Sequence, residues 1–334
     1  MNYEIKRKTK LLKPDGRLTS PGYATRMLFS YNRKRVNAET MPLKEWNFYQ
    51  FQCDKYVLQL TLGHLTYIGQ MAVTLMDIET GKKWSYSTMK PFFVPELDRN
   101  PEKPSICTYE NDECRLQFTV KRDKRILAFR GQSKDYNKIE IKLVAENDPS
   151  NEKMVIATPF DKPHQFYLNY KENYYVANGY ASFDDKKVLF QNATGLLDWG
   201  RGVWPYSHEW YWGSLTSHID GVPFGFNIGW GFGNTKQATE NMYFYNKKAY
   251  KVDKIIGEWD DNNLMGVKHF HDNANQIQFT FTPFHDNYTC NPFVIIDTHC
   301  HQVFGHFCGT IETEDGTKEF SRAVGFIEHA INRW

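Results

Sequence analysis

The sequence predicts an all-β protein, and three observations predict it. Apolar residues recur with a period of two in many short runs, as in Leu58, Leu60 and Leu62 or Met71, Val73 and Leu75. Gly and Asp turn signals punctuate those runs, and no stretch carries the longer period of an amphipathic helix. The 334 residues exceed one typical domain, so two antiparallel β-barrels or sandwiches are expected. No repeat of about 20 to 50 residues is visible, which argues against a propeller or solenoid.

In order along the chain, residues 6–33 mix basic side chains with turn formers at Pro14-Asp15-Gly16 and Pro21-Gly22 and read as an irregular arm laid on the surface. Regular structure begins at 43–51. Alternation takes over from Tyr56, breaks at the Glu79-Thr80-Gly81 turn, and returns at Leu116, Phe118 and Val120 and at Ile139, Ile141 and Leu143. Four prolines in 91–107 read as a long loop. Residues 146–153, ENDPSNEK, are the most polar segment and the candidate hinge. The expected division is 1–172, a β-domain preceded by the arm, and 173–334, a second β-domain carrying the Trp/Gly-rich centre. Further strands are read at 154–156, 166–170, 187–190, 242–252, 267–271, 277–281 and 302–310. Residues 320–331 fit strand or short helix.

Composition narrows the function classes. A 41% hydrophobic, 16% aromatic and 24% charged chain is globular, and 41 Lys+Arg against 39 Asp+Glu leave no field to draw nucleic acid. The N-terminal MNYEIKRKTKLLKPDGR lacks the apolar run of a secretory leader, so a cytoplasmic protein is expected. No apolar stretch is long enough for an integral membrane span. The six cysteines show no CxxC spacing and read as free, buried thiols, and the acceptor patterns at Asn192 and Asn287 read as chance matches. Composition assigns no oligomeric state.

Residues 197–244 stand apart. They hold five of the nine tryptophans and eight glycines, interleaved with carboxylates and a guanidinium. Taking Asp220-Gly221 as a type I′ hairpin loop pairs Ile219 with Val222, Leu215 with Phe226, Gly213 with Ile228 and Tyr211 with Trp230 on an apolar face. The other face pairs Ser214 with Asn227, Trp212 with Gly229 and Trp210 with Gly231. Glycine leaves space opposite each indole, so this face is a pocket wall or a place where indoles cover bare backbone.

Candidate catalytic residues are Asp198, Glu209 and Arg201. Asp198 and Arg201 flank Trp199-Gly200 and are expected to converge, either as a structural ion pair or as a proton donor beside an anion anchor. Candidate ligand-binding residues are Trp204, Tyr206, His208, Trp210, Trp212, Ser214, Asn227, Glu240 and Asn241, whose indoles suit stabilisation of a carbocation or stacking on a sugar ring. The expected metal is none; the alternative lies in strand-borne His269, His271, His299 and His301, with His306 and Cys308 in a similar pattern. No phosphate loop, nucleophile elbow or dinucleotide fingerprint occurs, so no organic cofactor is expected.

Ordered motifs across nearly the whole chain carry a resemblance: LLKPDGRLTSPGYA, SYNR and KEWNFY, then MVIATPF, LDWGRGVWPY, WYWGS, FGFNIGWGFG and ATENMYFY, then HQVFGHFCGTI and GFIEHAINRW. The chain resembles the uncharacterised proteins grouped as domain of unknown function 2804, and that family is distantly similar to lipocalin-like carotenoid hydratases and related calycin-type, two-barrel proteins. The resemblance implies two lipocalin-like β-barrels or half-barrels with few short helices and a site for a hydrophobic or isoprenoid-like small-molecule ligand. Phe284-His285-Asp286 and His306 depart from the basic residues the resemblance leads one to expect. The functional expectation is a cofactor-independent hydratase, isomerase or cyclase. A non-catalytic carrier of a lipophilic ligand, or a glycan-binding or glycan-processing protein, are the alternatives.

Overall fold

A computed structural model describes residues 3–37, 43–65, 67–257, 259–293 and 296–334. It is built of two large antiparallel sheets, each curled into a half-barrel, with one short 3-10 turn at Arg33–Arg35. Among the described residues no helix is long and apolar enough to cross a membrane.

Both sheets follow one plan. The first opens with the meander Leu43–Cys53, Tyr56–Leu65, Ile68–Asp77 and Lys83–Pro91. It resumes at Ser105–Glu110, continues through Cys114–Val120, Lys124–Gly131 and Ile139–Glu146, and closes with Phe166–Phe183 and Lys186–Val203. The closing strand then pairs with the opening one. The second sheet opens with Ser207–Ile219, Val222–Trp230, Met242–Tyr245 and Lys248–Lys251, and ends with Ile277–Phe293, Ile296–Thr313 and Gly316–Arg333. Again the last strand, Gly316–Arg333, pairs with the first. The final hairpins match in length: 166–183 and 186–203 become 296–313 and 316–333 on adding 130 (316 − 186 = 130). Even a left-handed bulge residue recurs, Asn192 and Arg322 both having φ of 50°. The repeat is a whole sheet, far longer than the periods that betray a solenoid.

The sheets do not change over at 172/173, which lies within the strand Phe166–Phe183, but between Val203 and Ser207. The polar segment 146–153 joins two strands of the first sheet, where Asp148 caps a turn by accepting from the Ser150 backbone N–H at 2.8 Å. The N-terminal arm is more than a surface strap. Ile5, Leu11, Leu12, Phe29 and Tyr31 are buried in the first core, and the Tyr31 hydroxyl donates to Glu45 at 2.7 Å. All six cysteines are free, but only Cys107 and Cys114 are buried.

Alternation decides where each side chain goes. In the first sheet Tyr49, Phe51, Leu58, Leu60, Leu197 and Trp199 fill the half-barrel core. In the second, Leu215, Phe226, Ile228, Val303 and Ile327 do the same. The intervening residues point the other way, and there the two sheets meet. Trp212 lies against Phe326 and Phe304 on its own sheet and meets Phe48 of the first sheet with ring centroids 6.1 Å apart.

Candidate functional site

The hairpin at Asp220-Gly221 places the first wall. Both turn residues are left-handed, with φ of 50° and 78°, and the ladder runs from Ile219↔Val222 to Tyr211↔Trp230 as the sequence predicts. The ladder stops there because Gly231, at φ +84°, turns the chain away, so Trp210 has no partner on that strand. Trp212 does not cover Gly229. A Cβ on Gly229 would come within 2.5 Å of the Glu240 side chain, so the bare backbone makes room for a carboxylate. Asn227 fixes that corner: its Oδ1 accepts from Trp212 Nε1 at 2.6 Å and its Nδ2 donates to the Glu240 carbonyl at 2.6 Å. Asn241 Oδ1 accepts from the Gly229 N–H at 2.8 Å.

Between the backs of the sheets lies a cavity of about 310 Å³. Trp46, Tyr167, Trp210, Trp212 and Phe232 line it, with partly exposed Leu65, Gln70, Thr289 and Trp334 at its edge. Its polar side is made by Asp198, Glu240, Glu328 and Lys171. The Lys171 ammonium lies 3.3 Å from Glu240 and 3.6 Å from Asp198, and 3.6 Å above the Trp212 ring.

Two carboxyls occupy matching places in the repeated topology. Asp198 is on the closing strand of the first sheet opposite Phe48, and Trp46, two residues before Phe48, donates its indole N–H to Asp198 Oδ2 at 3.2 Å. Glu328 is on the closing strand of the second sheet opposite Trp212, and Trp210 donates to Glu328 Oε1 at 2.8 Å. The neighbouring strand presents Lys171 to Asp198 and Gln302 to Glu328. One step along, Asn169 Nδ2 donates to Asp198 Oδ1 at 2.6 Å, and the matching residue beside Glu328 is Cys300. Burial pushes the Glu328 carboxyl up to about 7, against the opposing pull of the Trp210 N–H and Lys171. Burial also raises Glu240, with Lys171 opposing.

Of the sequence-predicted residues, Asp198, Trp210, Trp212 and Glu240 line the cavity. Asn227 and Asn241 hold the wall from behind. The expected convergence of Asp198 and Arg201 is corrected, because residues three apart on a strand face opposite ways. Arg201 turns into the first core, ion-pairs with Asp98 Oδ1 at 3.3 Å and stacks 3.9 Å over Trp199. Glu209 lies on the far face for the same reason, accepting from Tyr211 at 2.9 Å and from the His329 ring at 2.8 Å. Trp204 is fully enclosed by Trp46, Tyr167, Phe232 and Trp334, and its N–H donates to His208 Nε2 at 3.3 Å. Burial pushes His208 down to about 4. Tyr206 is exposed, and Ser214 is buried against Asn173, which donates to it at 2.6 Å.

The histidine alternative does not assemble. His269 is level with Cys308 across the sheet, seven residues or ~23 Å along the strand from His301. His301 pairs with Asp286 at 2.7 Å, and His299 sits 2.7 Å from the Tyr288 hydroxyl. Among the described residues no three His, Cys, Asp or Glu side chains are grouped to hold a metal.

Sequence reasoning passes over Lys171, Trp46, Gln302 and Glu328 as site residues. Trp46 and Glu328 do lie in distinctive segments, KEWNFY and GFIEHAINRW. Lys171 carries no local signal, since only the register against Asp198 gives it meaning.

A model of the family described as Domain of unknown function (DUF2804) matches residues 2–334. No curated protein matches the chain by sequence. Among solved structures, a Nitrosomonas europaea protein provisionally assigned as an AttH is similar with a TM-score of 0.51 and 11% identity, over 90% of this chain and 95% of that one. Kievitone hydratase from Nectria haematococca is similar with a TM-score of 0.51 and 10% identity, over 98% of both chains. At such identities the likeness is one of fold.

Proposed function

We propose that this chain, which belongs to the domain of unknown function 2804 family, binds an apolar, isoprenoid-like small molecule between its sheets and hydrates or isomerises a carbon–carbon double bond without an organic cofactor. The observation that carries this reading is Glu328, a buried carboxyl raised to about 7 on an indole-lined cavity that Asp198 also lines. A general acid works best with a pKa near the working pH. The fold likeness to a hydratase is consistent with it.

In the hydration, the Glu328 proton goes to one alkene carbon and the π pair becomes the new C–H bond. The cation left on the other carbon lies against the Trp210 indole, since the Lys171 ammonium already covers the Trp212 ring. A water oxygen closes the C–O bond, and its surplus proton passes to Asp198. Return of that proton to Glu328 through solvent resets the site, and one water has been added. In an isomerisation, Asp198 removes a proton from the carbon beside the cation instead, and nothing is added.

The test is to identify by mass spectrometry the molecule that co-purifies, and to return it to wild-type and Glu328→Gln protein. Wild type should yield a product heavier by one water or an isomer of equal mass. The variant should bind the molecule but turn it over at least ~100-fold more slowly. Equal rates would contradict the assignment of Glu328. Binding by wild type without turnover would favour the carrier reading.

A further inference from the structure

The charges on the cavity wall narrow what can enter. Among the described lining residues Lys171 is the one cation, and it faces three carboxyl groups: Asp198, Glu240 and Glu328. Its ammonium is spent on two of them, at 3.6 Å and 3.3 Å, and its side chain is 4% exposed. Among the described lining residues no cationic group therefore remains to receive an anionic headgroup. An entering carboxylate or phosphate would lose its hydration and meet carboxyl oxygens at close range, where like charges in a low-dielectric setting repel strongly. A cationic group would instead find carboxylates and tryptophan faces together.

We propose that the cavity excludes anions: its lipophile carries an uncharged or basic polar group, such as a hydroxyl, carbonyl or amine, and free fatty acids and diphosphate esters are turned away. This rests on the small-molecule reading above and adds a headgroup rule to it. Glu240 and Glu328 enforce the rule when ionised, as Glu328 is above pH 7, and Lys171 is too fully engaged to relax it.

The experiment is calorimetric titration of the full chain at pH 8 with three ligands of equal tail, decan-1-ol, decylammonium and decanoate. Decanol and decylammonium should each bind at least tenfold more tightly than decanoate. In the Glu240→Gln/Glu328→Gln protein, the advantage of decylammonium over decanoate should shrink to less than threefold. Decanoate binding to wild type as tightly as the others would overturn the exclusion, as would a double variant that keeps the full gap. If none of the three binds, the small-molecule reading falls and takes this inference with it; if all bind alike, only the headgroup rule falls.

Discussion

Asp198 and Glu328 occupy the same place in two copies of one topology, and each accepts an indole N–H from the strand beside it. They differ in what the neighbouring strand presents. Across from Asp198 stands Lys171, within 3.6 Å. Across from Glu328 stands Gln302, an amide already accepting from Gln59 at 2.7 Å and Asn287 at 3.3 Å. Glu328 has no cation across the ladder to offset its loss of hydration, and burial raises it. One residue in the ladder thus makes an ion pair in one copy and leaves a carboxyl raised by burial in the other.

The largest effect is expected at Lys171. Lys171→Met leaves Asp198 and Glu240 buried without their cation, and breaking such a pair typically costs about 3–5 kcal/mol. Urea unfolding at pH 8 should show that loss, and lowering the pH to 5 should recover part of it as Glu240, already raised by burial, takes up a proton.

Glu328→Gln should change how stability depends on pH. A carboxyl raised from its ordinary range to about 7 binds more protons folded than unfolded, so its contribution is full below the unfolded pKa and is lost as pH rises through 7. The span is of the order of 3 kcal/mol at most. Thermal unfolding of wild type should decline relative to the variant between pH 5 and 8. Gln302→Lys should sharpen the point by giving Glu328 the partner that Asp198 has: the carboxyl should fall below 7 and the same decline should flatten.

Smaller effects are expected at the walls. Trp210→Phe removes the N–H that holds Glu328 down, so its titration should move further up, with a stability loss of about 1 kcal/mol in urea unfolding at pH 6. Gly229→Ala places a methyl within 2.5 Å of Glu240, so the carboxylate must leave its seat and the Lys171 contact should lengthen in a crystal structure of the variant.

Much of the architecture was legible in the residues, and the places where it was not share a cause. The all-β class and the register about Asp220-Gly221 follow from alternation and a turn whose residues accept a left-handed backbone. In the strand Lys186–Val203 alternation shows only over the first few residues. Beyond Gly195 every residue is buried, because one face meets the half-barrel core and the other meets the second sheet. Alternation reports a wet face opposite a dry one, and it vanishes where both are dry. Residues 166–173 are buried without a break for the same reason, and that hid Lys171. The turn at Asn246-Lys247 is not legible in the sequence, because the left-handed backbone of Lys247, φ 71°, has no glycine to announce it. The tryptophans marked the right stretch, but only the register tells which of them face the cavity.

The most direct measurement is the infrared carbonyl stretch of a protonated carboxyl, followed by pH titration in wild-type and Glu328→Gln protein. A band in wild type should persist to neutral pH, and its component with a midpoint at about 7 should be missing from the variant. A wild-type band lost wholly below about pH 5, in the ordinary carboxylate range, would contradict the raised Glu328 carboxyl.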